Sequence, residues 1–155
     1  MALNIAERPP RRPPAFFNRV AALILRSPLH GPISKSLMLL TFTGHKSGKS
    51  YTLPVGYTRE NDTIKLFTDH NWWKNFRQPA PVTVRVQGKN LTGTALALHE
   101  DKEAIAEEMR TFVQRLPGAA RAYGVTFDAK GQPNSETLHQ AAQRFVLVRI
   151  QLHQG

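Results

Sequence analysis

The 155-residue sequence contains no cysteine and no long apolar run. The first absence excludes disulfides, thiolate nucleophiles and cysteine-ligated metals, and it is compatible with a reducing cytoplasm. The longest apolar-rich stretch, Val20 to Leu25, is too short to cross a bilayer. The start of the chain also lacks the apolar segment of a secretory signal. We therefore expect a soluble, cytoplasmic protein.

Acidic residues are scarce. The chain has 11 of them against 21 lysines and arginines, which gives a net charge of +10. The imbalance is strongest in residues 1–49, where eight basic residues stand against Glu7 alone. Such a charge favours an anionic partner: a phosphate, a polycarboxylate, a nucleic acid or an anionic membrane surface.

The N-terminal segment concentrates much of this charge. Residues 8–14 read Arg-Pro-Pro-Arg-Arg-Pro-Pro, which predicts a flexible, extended arm over residues 1–14. Apolar residues at helical spacing then predict an amphipathic helix over Ala15 to Ser27. This basic helix could make peripheral contact with an anionic membrane. We expect residues 15–155 to form a single domain.

Short alternating segments separated by turns predict a mainly β fold with flanking helices and about six antiparallel strands. The hairpin turn Gly88-Lys89 joins two of them, and Gly93 suggests a bulge or barrel corner. Helices are predicted over Asp101 to Leu116 and from Ser135. The predicted strands are Leu37–Thr43, Tyr51–Tyr57, Thr63–Thr68, Val82–Gln87, Leu91–Leu98 and Phe145–Leu152.

A turn rich in glycine and lysine, residues 44–49, lies between the first two predicted strands. Its backbone N–H groups can converge on an anion, while lysines add charge and a serine adds a hydroxyl donor. A nucleotide P-loop is excluded, because Thr43 stands where that motif needs glycine and Pro54 interrupts the helix that should follow. The turn therefore predicts a phosphate site, with a solvated hairpin tip as the alternative.

Two sequence blocks carry a resemblance to a known family. The first is Leu39 to Lys49 followed by Thr52, Pro54 and Tyr57; the second is Trp72-Trp73-Lys74-Asn75-Phe76-Arg77 followed by Val82-Thr83-Val84 and Gly88. In order and spacing they resemble the deazaflavin (coenzyme F-420)-dependent nitroreductases of the flavin/deazaflavin oxidoreductase family, over roughly residues 16–98.

The resemblance implies a split β-barrel of the FMN-binding type, related to the pyridoxamine 5′-phosphate oxidases. It implies an oxidoreductase that transfers a hydride from reduced F-420 to a small-molecule electron acceptor, which is a quinone, a nitro compound or an activated alkene. An FMN-dependent reductase on the same fold is the alternative. Carried over from the family, the cofactor-binding residues are His45, Lys46, Ser47, Gly48, Lys49, Thr52, Pro54, Val55, Thr68, Asp69, Trp73, Asn75 and Arg77.

Three positions need separate comment. The family usually has arginine where His45 stands, and often where Tyr51 stands, so a fork suited to bidentate phosphate contact is missing. The family also places tyrosines over the substrate pocket, and Tyr123 is the residue here that fits this description. We take it as the candidate catalytic residue, with a structural role as the alternative.

Other functions receive less support from the sequence. The six histidines show no metal-ligand spacing, so no metal site is predicted. A non-catalytic cofactor- or nucleic-acid-binding β-barrel is a further alternative, although the sequence lacks the strand-borne aromatic platform that stacks bases. The oligomeric state is left open between a monomer and a homodimer.

Overall fold

The computed structural model of the protein describes residues 37–154. The predicted N-terminal arm and the amphipathic helix lie outside these residues. The described elements are β1 (Leu37–Thr43), β2 (Ser50–Gly56), β3 (Thr58–Glu60), β4 (Thr63–Thr68), a 3₁₀ helix η1 (Asn71–Phe76), β5 (Ala80–Val86), β6 (Lys89–Leu98), α1 (Lys102–Arg115), a 3₁₀ helix η2 (Pro117–Ala119), α2 (Ala120–Tyr123), α3 (Ser135–Arg144) and β7 (Val146–Leu152).

The strands form one seven-stranded antiparallel sheet in the order β2-β1-β5-β6-β7-β4-β3. Strands β2 and β3 lie at its opposite edges, yet only Tyr57 separates them in the chain. The sheet must therefore curl until its edges approach each other. No ladder joins these two edges in the described part of the chain, so the sheet forms a barrel that is split at this seam, as the family resemblance implies.

Two hydrophobic clusters lie on the two faces of the curled sheet. Side chains alternate along β1, where Met38, Leu40 and Phe42 point into the barrel and are buried. The second cluster packs α1 and α3 against the outer side of β4 and β7. Because β7 is covered on both faces, Val146 to Val148 are all buried, as is typical of a doubly covered strand.

Capping residues fix the starts of the two longer helices. The Asp101 carboxylate accepts the N–H of Ala104 at 3.0 Å at the start of α1. The Asn134 side chain likewise accepts the N–H of Thr137 at 3.0 Å before α3. The helix predicted over Asp101 to Leu116 is confirmed, with Asp101 as its N-cap.

Gly93 is buried in β6, and the ladders to β5 and β7 run through it without the extra residue of a bulge. A Cβ atom at this position would lie 2.7 Å from the Gln151 carbonyl oxygen and 2.9 Å from the Ile150 Cγ2 atom. Glycine is needed here because β7 passes too close for any side chain.

We predict that Gly93→Ala destabilises the protein by about 1–3 kcal/mol, because the backbone of β7 must shift to admit the methyl group. Gly118→Ala is the control, since a Cβ atom there would meet nothing within 4 Å. The free energy of unfolding is measured by urea denaturation. Equal stabilities for the two variants would contradict the prediction.

Candidate functional site

The turn of residues 44–49 joins β1 to β2 and is closed by its own backbone. The Gly44 N–H donates to the Lys49 carbonyl at 2.7 Å, and the Gly48 N–H donates to the Gly44 carbonyl at 2.8 Å. A Cβ atom on Gly44 would lie 2.7 Å from the Ser47 Oγ atom and 2.8 Å from the Tyr51 ring. The first glycine of the turn therefore allows the serine and the tyrosine to fold over it.

Side chains occupy two further N–H groups of the turn. The Lys49 N–H donates to the Ser47 Oγ atom at 3.2 Å, and the His45 N–H donates to the Asn75 Oδ1 atom at 2.8 Å. Within residues 37–154, the N–H groups of Lys46 and Ser47 donate to no acceptor. Two consecutive amides without a partner among residues 37–154, in a turn that carries Lys46 and Lys49, have the chemistry of an anion-binding nest. The turn therefore fits a phosphate.

Tyr51 has a role in this turn that the sequence did not reveal. Its ring stacks on Phe42 at a centroid distance of 5.6 Å, and its hydroxyl lies 3.2 Å from the Ser47 Oγ atom. It thus helps to fix the serine that accepts the Lys49 N–H. The departure of Tyr51 from the family pattern was visible in the sequence, but its partner was not.

The second sequence block forms η1 and packs beside the turn. Trp72 contacts Phe42 and the fully buried Phe76, at centroid distances of 5.7 and 6.1 Å. The Asn75 amide donates from Nδ2 to the Trp72 carbonyl at 2.8 Å, while its Oδ1 atom accepts the His45 N–H. Asn75 therefore connects the two blocks, although it lies 30 residues from His45 in the sequence.

Trp73 on η1 and Arg77, which directly follows η1, lie together as an aromatic ring with a cation over it. The Arg77 guanidinium carbon lies 5.3 Å from the centroid of the Trp73 ring. His99, just after β6, lies 4.8 Å from the same ring with an interplanar angle of 33°. The contact between His99 and Trp73 has no sequence signal, since the two residues belong to different elements.

The three predicted residues on β2 do not share one surface. Thr52 and Pro54 project from the same face, and the Thr52 hydroxyl lies 2.9 Å from that of Thr41. Val55 projects from the opposite face and packs against the barrel interior. As β2 is an edge strand, Pro54 costs the sheet no ladder hydrogen bond on its open side.

Thr68 and Asp69 lie at the end of β4. Thr68 is buried, and its hydroxyl accepts the N–H of His70 at 3.1 Å. The Asp69 carboxylate lies 3.4 Å from the Arg144 guanidinium and 3.7 Å from the His70 imidazole. These are exposed pairs, which contribute little to stability.

Tyr123 packs in an aromatic cluster beside this strand end. Its ring makes edge contacts with Phe67, Phe112 and Phe145 at centroid distances of 5.8, 5.8 and 5.0 Å. Burial raises the pKa of the Tyr123 hydroxyl to about 12. Phe67 directly precedes Thr68, but neighbouring strand residues project from opposite faces, so Tyr123 packs on the face of β4 that Phe67 shares with α1 and α3. Its hydroxyl makes no hydrogen bond within residues 37–154.

Residues 37–154 contain no group of three or more histidine, aspartate or glutamate side chains that could hold a metal ion. The same part of the chain has no helix long and apolar enough to cross a membrane.

Comparisons with known proteins bear on the family and the fold. Residues 25–126 match the F-420H(2)-dependent quinone reductase family. No curated protein matches the sequence. An F-420H2-dependent reductase structure superposes with a TM-score of 0.50 at 21% identity, over 77% of this chain and 95% of that one.

Two other solved structures share the fold. A conserved hypothetical protein from Mycobacterium tuberculosis has a TM-score of 0.53 at 17% identity, over 88% of this chain and 80% of that one. A heme storage protein from Vibrio cholerae has a TM-score of 0.51 at 11% identity, over 89% and 90%.

We predict that Asn75→Ala loosens the turn, because the His45 N–H loses its acceptor. The amide hydrogen of His45 should then exchange about fivefold to tenfold faster, as expected for the loss of one hydrogen bond. Lys74→Ala is the matched control, since Lys74 is exposed on the same 3₁₀ helix. Exchange is followed by NMR, and similar rates in both variants would contradict the coupling.

Proposed function

The chain belongs to the F-420H(2)-dependent quinone reductase family, and we propose that it transfers a hydride from reduced coenzyme F-420 to a quinone. Coenzyme F-420 is the cofactor that this family uses. Nitro compounds and activated alkenes are further acceptors in the proposal. The observation that carries it is the turn of residues 44–49, which carries two lysines and two amides without a partner among residues 37–154, and which a hydrogen bond from the His45 N–H joins to Asn75 on η1.

The bound cofactor would supply the hydride, and the protein would supply binding, orientation and exclusion of water. We assign its phosphate to the N–H groups of Lys46 and Ser47 and to the ammonium groups of Lys46 and Lys49. Charge-assisted hydrogen bonds of this kind are about twice as strong as neutral ones. His45 and Gly48 have their N–H groups engaged, so they would shape the turn instead of donating to the phosphate.

The remaining predicted residues take different parts in this proposal. Thr52 and Pro54 share a face of β2 and would line the cofactor ring, while Val55 would support that strand from inside the barrel. Asp69 and the buried Thr68 would border the ring at the end of β4. Trp73 and Arg77 would form a wall near the cofactor tail, and Asn75 would position the turn.

Tyr123 is the proposed catalytic residue. A pKa of about 12 means that the phenol keeps its proton across the physiological range. We therefore propose that it donates a hydrogen bond to the acceptor oxygen as the hydride arrives, without giving up its proton. The packed ring supports this role, because it fixes the direction in which the hydroxyl can donate, and the hydroxyl has no hydrogen-bond partner among residues 37–154.

A homodimer is the proposed assembly. One solved structure with the same fold is described as a domain-swapped dimer; it has a TM-score of 0.50 at 19% identity, over 88% of this chain and 95% of that one. The proposed place of action is the cytoplasm. Peripheral contact with an anionic membrane depends on the basic N-terminal segment, whose sequence supports it.

We predict that Lys46→Ala and Lys49→Ala each weaken F-420 binding about tenfold, because each removes one cation from the phosphate. Lys130→Ala removes an exposed lysine from another loop and should leave the affinity unchanged. Dissociation constants come from titrating the oxidised cofactor against the purified protein, and reduction of menadione by F-420H2 measures the activity.

The same titration with FMN separates the two cofactors. Tighter binding of FMN, with flavin-dependent menadione reduction, would replace F-420 by the alternative flavin. If neither cofactor binds, the proposed function is wrong. If the cofactor binds but both lysine variants retain full affinity, the phosphate assignment is wrong.

We predict that Tyr123→Phe lowers kcat about tenfold with little change in KM, because only a hydrogen bond made in the transition state is lost.

The same variant also tests the raised pKa of the Tyr123 hydroxyl. The folded state holds the Tyr123 proton more tightly than the unfolded chain, so this group stabilises the fold below about pH 10, and the contribution is lost as the pH rises toward about 12. Tyr123→Phe should therefore lose less stability over that pH range.

Both measurements use the same purified proteins. Denaturation curves between neutral and alkaline pH give the stability, and steady-state rates give kcat and KM. An unchanged kcat together with the altered alkaline stability would assign Tyr123 a structural role only.

A further inference from the structure

A cavity lies at the end of the barrel opposite the turn of residues 44–49. It has a volume of about 460 Å³ and lies between the start of β3, the hairpin between β5 and β6, and the end of α1. Along β1, the two ends of the barrel are separated by roughly 20 Å. The cavity is therefore distinct from the phosphate site proposed at the turn.

Three cations from three different elements line this cavity: Arg59 on β3, Lys89 on β6 and Arg115 at the end of α1. No carboxylate lines it among residues 37–154. Arg115 pairs with Glu60, whose carboxylate lies 3.9 Å from the Arg115 guanidinium, and both side chains of this pair are largely exposed. Such a pair is weak in water, so it leaves the positive charge available to a ligand.

The other residues that line the cavity are apolar or can form hydrogen bonds. Val86, Leu91 and Leu116 supply the apolar wall. Tyr57 is 4% exposed, and burial raises the pKa of its hydroxyl although Arg59 opposes this shift. The phenol therefore stays protonated at neutral pH and can donate a hydrogen bond. Apolar walls with a few polar groups that fix orientation are typical of small-molecule sites.

A ligand that combines negative charge with an apolar body satisfies both parts of the lining.

We propose that this cavity binds a small organic anion with an apolar body, a carboxylate or a sulfonate. Its acidic group lies among Arg59, Lys89 and Arg115, and its apolar part lies against Val86 and Leu91. The site lies at the end of the barrel opposite the phosphate site proposed at the turn.

The test uses the fluorescent aryl sulfonate ANS with the full chain. The unaltered protein should bind ANS at one saturable site, and a Lys89→Ala/Arg115→Ala variant should bind it at least about tenfold more weakly, because two of three cations are lost. Lys102→Ala is the matched control, since Lys102 lies at the other end of α1, roughly 20 Å from Arg115, and this variant should keep the affinity.

Two further measurements locate the ligand and test its chemistry. Amide chemical shifts in the unaltered protein should change around Gln87 and Leu116, and not at the turn of residues 44–49. Decanoate should displace ANS, whereas decyltrimethylammonium, with the same apolar chain and a positive charge, should not. This comparison needs no variant, so it decides the question even if the double variant fails to fold.

Several outcomes would overturn the proposal. These are the absence of saturable ANS binding, equal affinity in the double variant and in Lys102→Ala, equal displacement by the anionic and cationic detergents, and shift changes centred on the turn. Loss of F-420 binding in the lysine variants of the turn, with ANS binding intact, would keep the two sites separate.

Discussion

The connection through Tyr57 determines the shape of the molecule. Strands β2 and β3 lie at opposite edges of the sheet, and one residue between them leaves no choice but to bring those edges together. The curled sheet then encloses the barrel cluster, while its outer surface at β4 and β7 is covered by α1 and α3. The curled sheet also has two ends. The turn with Lys46 and Lys49 lies at one end, and the cavity lined by Arg59, Lys89 and Arg115 lies at the other.

At one end, aromatic packing makes the turn of residues 44–49 a defined structure. Phe42 contacts the rings of Tyr51, Trp72 and Phe76, at centroid distances between 5.2 and 5.7 Å. These contacts anchor both the turn and η1 to the last inward residue of β1. The hydrogen bond between the His45 N–H and Asn75 can therefore form without further ordering of either partner, which is the preorganisation that an anion site needs.

Much of the fold could be predicted because the periodicity of the apolar residues and the positions of the turn residues agree with it. The bounds of β1 and β4 are those expected from the sequence, and the hairpin between β5 and β6 is confirmed. Strand β3 was missed, since Thr58–Glu60 is short and polar and is ordered by pairing with β4. Thr52 and Val55 lie on different faces of β2, as the alternation of side chains along a strand requires. A family motif lists these residues in order and does not show on which face each one lies.

The site was predictable to the extent that it is local in sequence. The two blocks identified the turn and η1, but the partners that connect elements, His45 with Asn75 and Trp73 with His99, depend on how the sheet curls. The aromatic surroundings of Tyr123 come from β4, α1 and the residue before β7. No sequence window contains those three elements, so the raised pKa of Tyr123 had no sequence signal.

The replacement of the family's arginine by Tyr51 has a structural consequence for phosphate binding. An arginine at this position would offer a bidentate fork, whereas the Tyr51 hydroxyl is directed to Ser47, whose oxygen accepts the Lys49 N–H. Tyrosine thus organises the turn internally instead of reaching outward. Phosphate recognition here would then depend on backbone amides and on lysines, which act as point charges with little directional preference. A site of this kind can hold a phosphate in more than one orientation, so in the proposed complex the contacts of the cofactor ring with β2 and the end of β4 would set the orientation of the cofactor.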